Sequence, residues 1–149
     1  MIEPETRPPR SSELLSRTAS RLLVVDVQQK LLDHIPVSGT RVENCRRLIR
    51  GAQVLDVPVA ATEQYPDGLG PTAEVLAGLL GEIPEKLRFS CAECLDWGAA
   101  GGDGDQRDQV VVCGIEAHVC VTQTALGLAG QGYRGDVPAG AVASRHKVQ

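Results

Sequence analysis

The sequence predicts an α/β fold: a doubly wound, mainly parallel sheet with helices on both faces. Two apolar runs, 21–27 and 109–113, have the composition of strands that are buried on both faces. Segments with helical periodicity alternate with such runs, and the connections between them are short. In sheets of this kind ligands bind outside the carboxyl ends of the strands, so residues that follow each strand are the first candidates for a functional site.

The elements predicted for the first half of the chain are, in order, a strand at 21–27, a helix at 40–56, a strand at 57–62 and a helix at 72–80. The helix at 40–56 is amphipathic, and Thr40 with Glu43 has the spacing of a capping box at its start. Gly81 is placed to end the helix at 72–80. The segment between the second strand and this helix is rich in turn-forming residues.

The elements predicted for the second half are a short strand at 85–89, a strand at 109–113, a helix at 120–131 and a weak strand at 134–143. Residues 98–104 are rich in glycine, so any helix there would be weak or broken. Gly132 is placed to end the helix at 120–131. Gly135, Pro138 and Gly140 should interrupt the last strand.

Length and composition indicate one globular domain at 14–149, preceded by a flexible polar lead-in at 1–13. The chain has 149 residues, of which 42% are hydrophobic, and a net charge of −4, which argues against binding to nucleic acid. No apolar run approaches the roughly 18 residues of a membrane span. The first twenty residues lack a secretory signal, and five cysteines make an odd count, so we expect a cytoplasmic protein with reduced thiols.

Three residues with reactive side chains follow or occupy predicted strands. Asp26 ends the first strand; it could be a catalytic carboxylate or simply a helix cap for 28–32. Cys120 should lie in the first turn of a helix, where the helix dipole lowers the pKa of a thiol, although free cysteines are more often inert core residues. Lys86 could stabilise both groups as anions, or be an ordinary surface lysine.

Five segments, taken together in their order along the chain, resemble the isochorismatase-like cysteine hydrolases. They are LLVVDVQ (22–28), ATEQYPDGLGPT (61–72), EKLRFSC (85–91), GIEAHVCVTQTAL (114–126) and AVASR (141–145). The similarity runs from about Leu14 to Arg145 and is greatest to the isochorismatase domain-containing branch, whose substrates are poorly defined. GIEAHVCV is the most specific of these motifs, whereas DVQ alone would be weak.

The resemblance implies a catalytic triad of Asp26, Lys86 and Cys120, which would cleave a C–N bond of a small amide-like substrate. In amidase members of the family the aspartate takes the thiol proton and a thioester forms. A cis peptide is implied at Ile115–Glu116, with the backbone N–H groups of Glu116 and Cys120 forming the oxyanion hole. The pocket walls are assigned to the side chains of Gln28, Tyr65 and Phe89.

No metal or other cofactor is expected. The nicotinamidases of this superfamily carry an Asp and two His as metal ligands after the second strand, whereas residues 62–68 contain no histidine. A Cys–His dyad with His118 is disfavoured, since the family does not use that position as the base. The Cys91–Cys94 pair has CxxC spacing, and a redox or zinc role is weaker than coincidence because no second pair stands at suitable spacing.

The chain departs from the family pattern at its carboxyl end. Gly140 replaces an acidic residue that is usual in the family, and most members continue past Arg145 with another helix and strand. We therefore expect an uncovered apolar face and an unpaired sheet edge, and a chain that is unstable or associates when alone. The alternative function is a catalytically idle family member that acts as a scaffold, and a longer form is expected to be a homo-oligomer acting on a small molecule.

Overall fold

The computed structural model describes residue 9 and residues 11–36, 38–88, 90–91, 95, 97–102 and 106–145. The strands are β1 Ser20–Val25, β2 Val59–Gln64, β3 Glu85–Lys86, β4 Gln109–Ile115, β5 Arg134–Asp136 and β6 Val142–Ala143. The helices are α1 Gln29–Leu32, α2 Ser38–Val54, α3 Pro66–Leu69, α4 Glu74–Ala77 and α5 Thr122–Gly130. A π-helical turn at Ala117–Val121 leads into α5, and a 3₁₀ turn at Ala139–Ala141 separates β5 from β6.

All the strands pair in parallel, in the order β3-β2-β1-β4-β5, with β6 also pairing with β4. β5 pairs with the first part of β4 and β6 with its last two residues, so the interrupted strand predicted at 134–143 is confirmed. Val25 pairs with both Thr62 and Gly114. The carboxyl ends of β1, β2 and β4 therefore meet at one edge of the sheet.

Side chains from the two faces of β1 enter separate hydrophobic clusters. Leu22 and Val24 pack with residues of α2 and α4, whereas Leu23 and Val25 pack with residues of the π-helical turn and α5. Helices therefore cover both faces of the sheet, which confirms the predicted α/β architecture. Among the residues that the structure describes, no helix is long and apolar enough to cross a membrane.

The capping box predicted at Thr40 and Glu43 is wrong. α2 begins at Ser38, so Thr40 lies inside the helix. The unpaired backbone N–H groups at the start of α2, which a cap would satisfy, therefore come too early in the chain for Thr40 to cap them. The Glu43 carboxylate accepts two hydrogen bonds from the Arg46 guanidinium, at 2.7 and 2.9 Å. An ion pair at i,i+3 therefore replaces the cap that Glu43 would have completed.

The helix predicted at 72–80 is shorter, because tertiary contacts hold its first residues in an extended conformation. Thr72 forms an antiparallel bridge with Gln28, and its N–H and hydroxyl donate to Glu63 Oε2 at 2.6 and 2.9 Å. The N–H of Ala73 donates to the carbonyl of Val27. Only Glu74–Ala77 is helical, and Gly78 rather than Gly81 follows it. These contacts dock the segment after β2 against the residues that follow β1.

One other boundary differs from the sequence predictions, and two predictions about glycines are confirmed. β3 is confined to Glu85–Lys86, at the edge of the sheet next to β2. The prediction that no stable helix forms at 98–104 is confirmed for its described part, 98–102, where Gly98 and Gly101 adopt positive φ. The predicted helix end at Gly132 is confirmed by its φ of +89° and by its N–H, which donates to the carbonyl of Ala129.

An apolar cavity of about 830 Å³ lies on the α2 face of the sheet. Its walls include Leu22, Leu48, Leu55, Val57 and Val111, and Leu55 is half exposed to solvent. The expected instability or association of the isolated chain stays a prediction.

Replacing Gly114 with Ala should destabilise the fold by about 3 kcal/mol, because the new Cβ meets backbone in a forbidden conformation. Gly114 has φ +126°, and a Cβ there would overlap the carbonyl oxygen and amide nitrogen of Val25. Gly51→Ala in α2 is the matched control: its Cβ would have nothing within 4 Å, so helix propensity should add about 0.5–1 kcal/mol of stability. Urea unfolding measures both, and equal stability of the two variants would contradict this account.

Candidate active site

Asp26 lies at the carboxyl end of β1, where it is fully buried. Its backbone has φ +51°, and its N–H donates to the carbonyl of Thr62 at 3.1 Å. The alternative that Asp26 caps the helix at 28–32 fails, because the N-cap of α1 is Gln28 and no side chain caps that helix. A buried carboxylate requires partners elsewhere, and the structure supplies them from β2, β3 and the turn before α5.

Lys86 provides the charged partner. Its Nζ lies 2.7 Å from Asp26 Oδ2, and the side chains of both residues are at most 3% exposed. Lys86 also donates to the carbonyl of Arg88 at 2.9 Å. Since β3 is two strands away from β1, the lysine side chain reaches past β2 to the carboxylate. The interpretation of Lys86 as a surface lysine is therefore wrong.

Cys120 lies in the π-helical turn after β4, with 4% of its surface exposed. The Asp26 carboxylate lies near enough to raise the pKa of the Cys120 thiol through its charge. The S–H group donates a hydrogen bond to Gln64 Oε1, at the end of β2, at 3.0 Å. The structure thus brings Asp26, Lys86 and Cys120, which are far apart in the sequence, into one buried cluster.

The expectation that the helix dipole lowers the pKa of Cys120 is wrong. Burial, followed by the charge and the hydrogen bond of Asp26, raises the pKa of the thiol from 9.0 to about 12. The charge of Lys86 and the Glu116 backbone N–H oppose this rise only in part. At neutral pH the resting sulfur is therefore a thiol, and it must lose its proton before or during any nucleophilic attack.

The pKa of Asp26 is also raised above its usual value of 3.8, and burial is the largest cause. Lys86 opposes that effect through a hydrogen bond and its charge, and the Cys120 thiol and the Thr62 hydroxyl oppose it through hydrogen bonds. A carboxylate that is buried, paired with a cation and close to a thiol has the properties of a general base.

The peptide bond between Ile115 and Glu116 is cis, as the resemblance implied. The Glu116 backbone N–H lies close enough to the Cys120 sulfur to lower the pKa of the thiol in part. The Glu116 side chain points the other way, and its Oε1 lies 3.0 Å from Arg145 Nε. The position of this N–H is compatible with its predicted role in an oxyanion hole.

His118 contacts the carboxyl-terminal segment. Its Nδ1 lies 2.8 Å from Ser144 Oγ and 3.8 Å from Glu116 Oε2, and the ring is largely exposed. These contacts agree with the expectation that His118 does not form a dyad with Cys120. In the part of the chain that the structure describes, no group of three or more His, Cys, Asp or Glu residues could hold a metal ion.

The predicted pocket wall needs one correction, at Gln28. This residue is fully buried, and its side-chain amide donates to the carbonyls of Gln64 and Gly70 and accepts from the Gln64 N–H. Its hydrogen-bonding groups are thus occupied by backbone, so Gln28 shapes the loop instead of facing substrate. Tyr65 is 54% exposed at the end of β2 and is free to line an entrance. Phe89 lies outside the described residues.

Gln64 is the polar neighbour of Cys120 that the sequence analysis missed. Strand alternation was the available signal, because Gln64 and Thr62 share one side of β2 and the Thr62 hydroxyl donates to Asp26 Oδ1 at 2.9 Å. Among the residues that the structure describes, Asp26, Lys86 and Cys120 line neither the cavity of about 830 Å³ nor another of about 740 Å³ next to Leu32 and Val42. The reactive cluster is therefore the better candidate site, on chemistry and not on volume.

Comparison with known proteins identifies the family. The family model of the isochorismatase domain matches residues 102–149. Isochorismatase domain-containing protein 2 of Danio rerio is 39% identical over 132 residues, which cover 88% of this chain and 66% of that protein. The chain belongs to the isochorismatase family. It spans slightly less than two thirds of this relative, and 62% of the mouse protein 2A.

Solved isochorismatase-like structures show the same fold. The MAR1 ribonuclease of Caenorhabditis elegans has a TM-score of 0.78 and 37% identity, with 89% of this chain and 68% of that chain covered. The ycaC gene product of Escherichia coli, described as an octameric hydrolase of unknown specificity, has a TM-score of 0.71 and 20% identity, with 92% and 70% covered.

Proposed function

We propose that this isochorismatase-family protein is a cysteine hydrolase that cleaves a C–N bond of a small amide-like substrate. Cys120 is the nucleophile, Asp26 the general base and Lys86 the cation that orients the carboxylate. The observation that carries the proposal is a buried carboxylate that pairs with an ammonium group at 2.7 Å and lies near a buried thiol, whose pKa its charge raises. This arrangement can move a proton away from sulfur without bringing the charge into solvent.

In the first half of the reaction, the Cys120 proton passes to Asp26 while the sulfur attacks the carbonyl carbon. The carbonyl oxygen becomes an oxyanion, held by the N–H groups of Glu116 and Cys120. The intermediate then collapses, the C–N bond breaks, and Asp26 gives its proton to the leaving amine. The acyl group remains on sulfur as a thioester.

In the second half, Asp26 removes a proton from water as the water oxygen attacks the thioester carbonyl. The carbon–sulfur bond breaks, and the sulfur recovers the proton from Asp26. The carboxylic acid leaves, and the site returns to a neutral thiol beside an ionised Asp26. Lys86 stays charged throughout and keeps the carboxylate in place between the two steps.

The test is a hydrolysis screen over small amides, carbamoyl compounds and isochorismate, followed by mass spectrometry of the acid-quenched protein. We expect an acyl group on Cys120 and neither turnover nor adduct with Cys120→Ala. Cys45→Ala is the matched control, because that buried thiol lies in the other hydrophobic cluster. Chelators should leave the rate unchanged. An acyl group on another cysteine, or a metal-dependent rate, would contradict the assignment.

Cleavage of RNA is a second candidate, since the structural relative from Caenorhabditis elegans is called a ribonuclease. A net charge of −4 gives this chain no general attraction for a polyanion. Incubation with labelled single-stranded RNA at low salt tests the idea. Cleavage that persists in Cys120→Ala would place that activity outside the cluster, and its absence would leave the small-molecule hydrolase.

A further inference from the structure

A row of buried polar groups connects α5 with Asp26. The Thr62 hydroxyl oxygen lies 2.9 Å from Asp26 Oδ1 and 3.0 Å from the Cys91 sulfur. The Cys91 N–H donates to the Thr124 hydroxyl oxygen at 2.9 Å. These four residues are at most 1% exposed, so water does not compete for the hydrogen bonds.

The hydrogen atoms in this row have a defined direction. An ionised carboxylate only accepts hydrogen bonds, so the single hydroxyl proton of Thr62 must point at Asp26. The contact at 3.0 Å between Thr62 and Cys91 then requires the Cys91 S–H to donate to the hydroxyl oxygen. Cys91 thereby fixes the rotation of the Thr62 hydroxyl, and the hydroxyl in turn contacts the oxygen of Asp26 that is not paired with Lys86.

We propose that Thr62 and Cys91 are positioning residues for Asp26, and that they hold its carboxylate ionised and directed at Cys120. This inference rests on the proposed hydrolase function. Both residues act indirectly on the reaction: Cys91 contacts Thr62, and Thr62 contacts Asp26. Lys86 restrains one carboxylate oxygen and Thr62 the other, so rotation of the carboxyl group would break at least one of these contacts.

The position of the row in the fold supports a role in the active site. Thr124, which anchors Cys91, lies in the first turn of α5, and α5 directly follows the turn that carries Cys120. One helix therefore sets the positions of both the nucleophile and the far end of the row. This role gives Cys91 a function as a hydrogen-bond donor that needs neither redox chemistry nor zinc. Cys94, its partner in the CxxC spacing, lies outside the described residues.

The experiment is a pH–rate profile of p-nitrophenyl acetate hydrolysis. The rate of Cys120→Ala is subtracted at each pH, so that only the hydrolysis that depends on Cys120 is analysed. Thr62→Val keeps the shape of the side chain but removes the donor to the carboxylate. We expect the acid limb to move to higher pH by about one to two units, the size of a hydrogen bond to a charged group. Thr62→Ser, which restores a hydroxyl, should return the limb towards its original position.

Cys91→Ala tests the second part of the row. It should move the acid limb in the same direction by a smaller amount, because the Thr62 hydroxyl remains but is no longer held. In the Thr62→Val background, Cys91→Ala should cause no further shift, since its effect passes through the hydroxyl. Cys45→Ala is the matched control, because it removes a buried thiol from the opposite face and should leave the limb in place.

A second readout needs no substrate. Protein labelled with ¹³C in the aspartate carboxyl carbons can be titrated by NMR, with the Asp26 signal assigned by its loss in Asp26→Asn. Thr62→Val should raise the midpoint of that signal. An unchanged midpoint and an unchanged acid limb would overturn the role of Thr62, and an additive effect of Cys91→Ala would overturn the role of Cys91. If Thr62→Val does not fold, the shift in Cys91→Ala decides.

The two proposals fail in different ways. Hydrolysis that survives in Cys120→Ala would refute the proposed function, while the NMR titration would still report on the positioning of Asp26. Hydrolysis that depends on Cys120 but keeps its acid limb in Thr62→Val would refute the inference and leave the proposed function standing.

Discussion

Asp26→Asn should reduce turnover by about 10²–10⁴-fold and at the same time lower the pKa of Cys120 below about 12. The loss of rate is the usual contribution of a positioned general base. The pKa falls because the negative charge and the hydrogen bond of Asp26 both raise it in the native protein. Thiolate content and activity should therefore move in opposite directions, which a purely structural role for Asp26 does not predict.

Thiolate absorbance near 240 nm, followed between pH 7 and 12, measures the pKa of Cys120. Subtraction of the same titration of Cys120→Ala removes the signals of the other thiols and the tyrosines. Steady-state hydrolysis on the best substrate from the screen measures the rate. A variant with unaltered turnover, or a thiol pKa that rises, would remove Asp26 from the role of base.

The same prediction has a pH dependence in the native protein. The base must be ionised to accept the thiol proton, and burial raises the pKa of Asp26 above 3.8. Activity should therefore fall as the pH drops, with a midpoint above 3.8. Asp26→Asn should lose this acid limb, because it has no carboxyl group to titrate. An acid limb at or below 3.8 would contradict the burial of an essential carboxylate.

Lys86→Met should destabilise the fold by about 3–5 kcal/mol at neutral pH, the largest stability effect we expect. Lys86 and Asp26 are buried at 2.7 Å, so removing the cation leaves a carboxylate in the interior without its charged partner. The double variant Lys86→Met/Asp26→Asn should recover most of the lost stability, because it removes both charges. The cost is therefore expected to lie in the unpaired charge and not in the lost lysine packing.

Urea unfolding of the native protein, the single variants and the double variant measures this coupling. Without Lys86 the pKa of Asp26 in the folded state rises further above 3.8, so the fold binds a proton more readily than the unfolded chain. Lys86→Met should consequently become more stable as the pH falls through that raised pKa towards 3.8. Lys30→Met at an exposed position is the control and should change stability by less than about 1 kcal/mol. A double variant as unstable as Lys86→Met would show that packing dominates.

The order of strands and helices was readable in the sequence because each element depends on its own residues. The apolar runs at β1 and β4 have the composition of strands buried on both faces, and glycines and a proline marked the break between β5 and β6. Element ends were less predictable. The helix expected at 72–80 is shorter because Glu63, nine positions away, and Gln28, on the loop after β1, hold Thr72 in an extended conformation.

Some residues of the candidate site could also be identified from the sequence, whereas others became evident only in the structure. Asp26, Lys86 and Cys120 were singled out from residue type and position after the strands, with the resemblance to a family joining them. Gln64 was missed, and Gln28 was misassigned, because which side chain meets a thiol depends on strand register and on the loop after β2. Thr62 and Cys91 carry no distinctive motif, and their contact appears only when β2 and residue 91 lie side by side.

By itself, the sequence determined the α/β class, the family resemblance and the three residues whose chemistry suits a thiol hydrolase. Only the tertiary structure decided the pKa of the Cys120 thiol, and so whether its sulfur carries a proton at neutral pH. The local rule for a helix start predicted a lowered pKa for Cys120, yet the pKa rises to about 12. Burial and the charge of Asp26 outweigh the helix dipole, and both depend on how distant strands pack together, which no local pattern encodes.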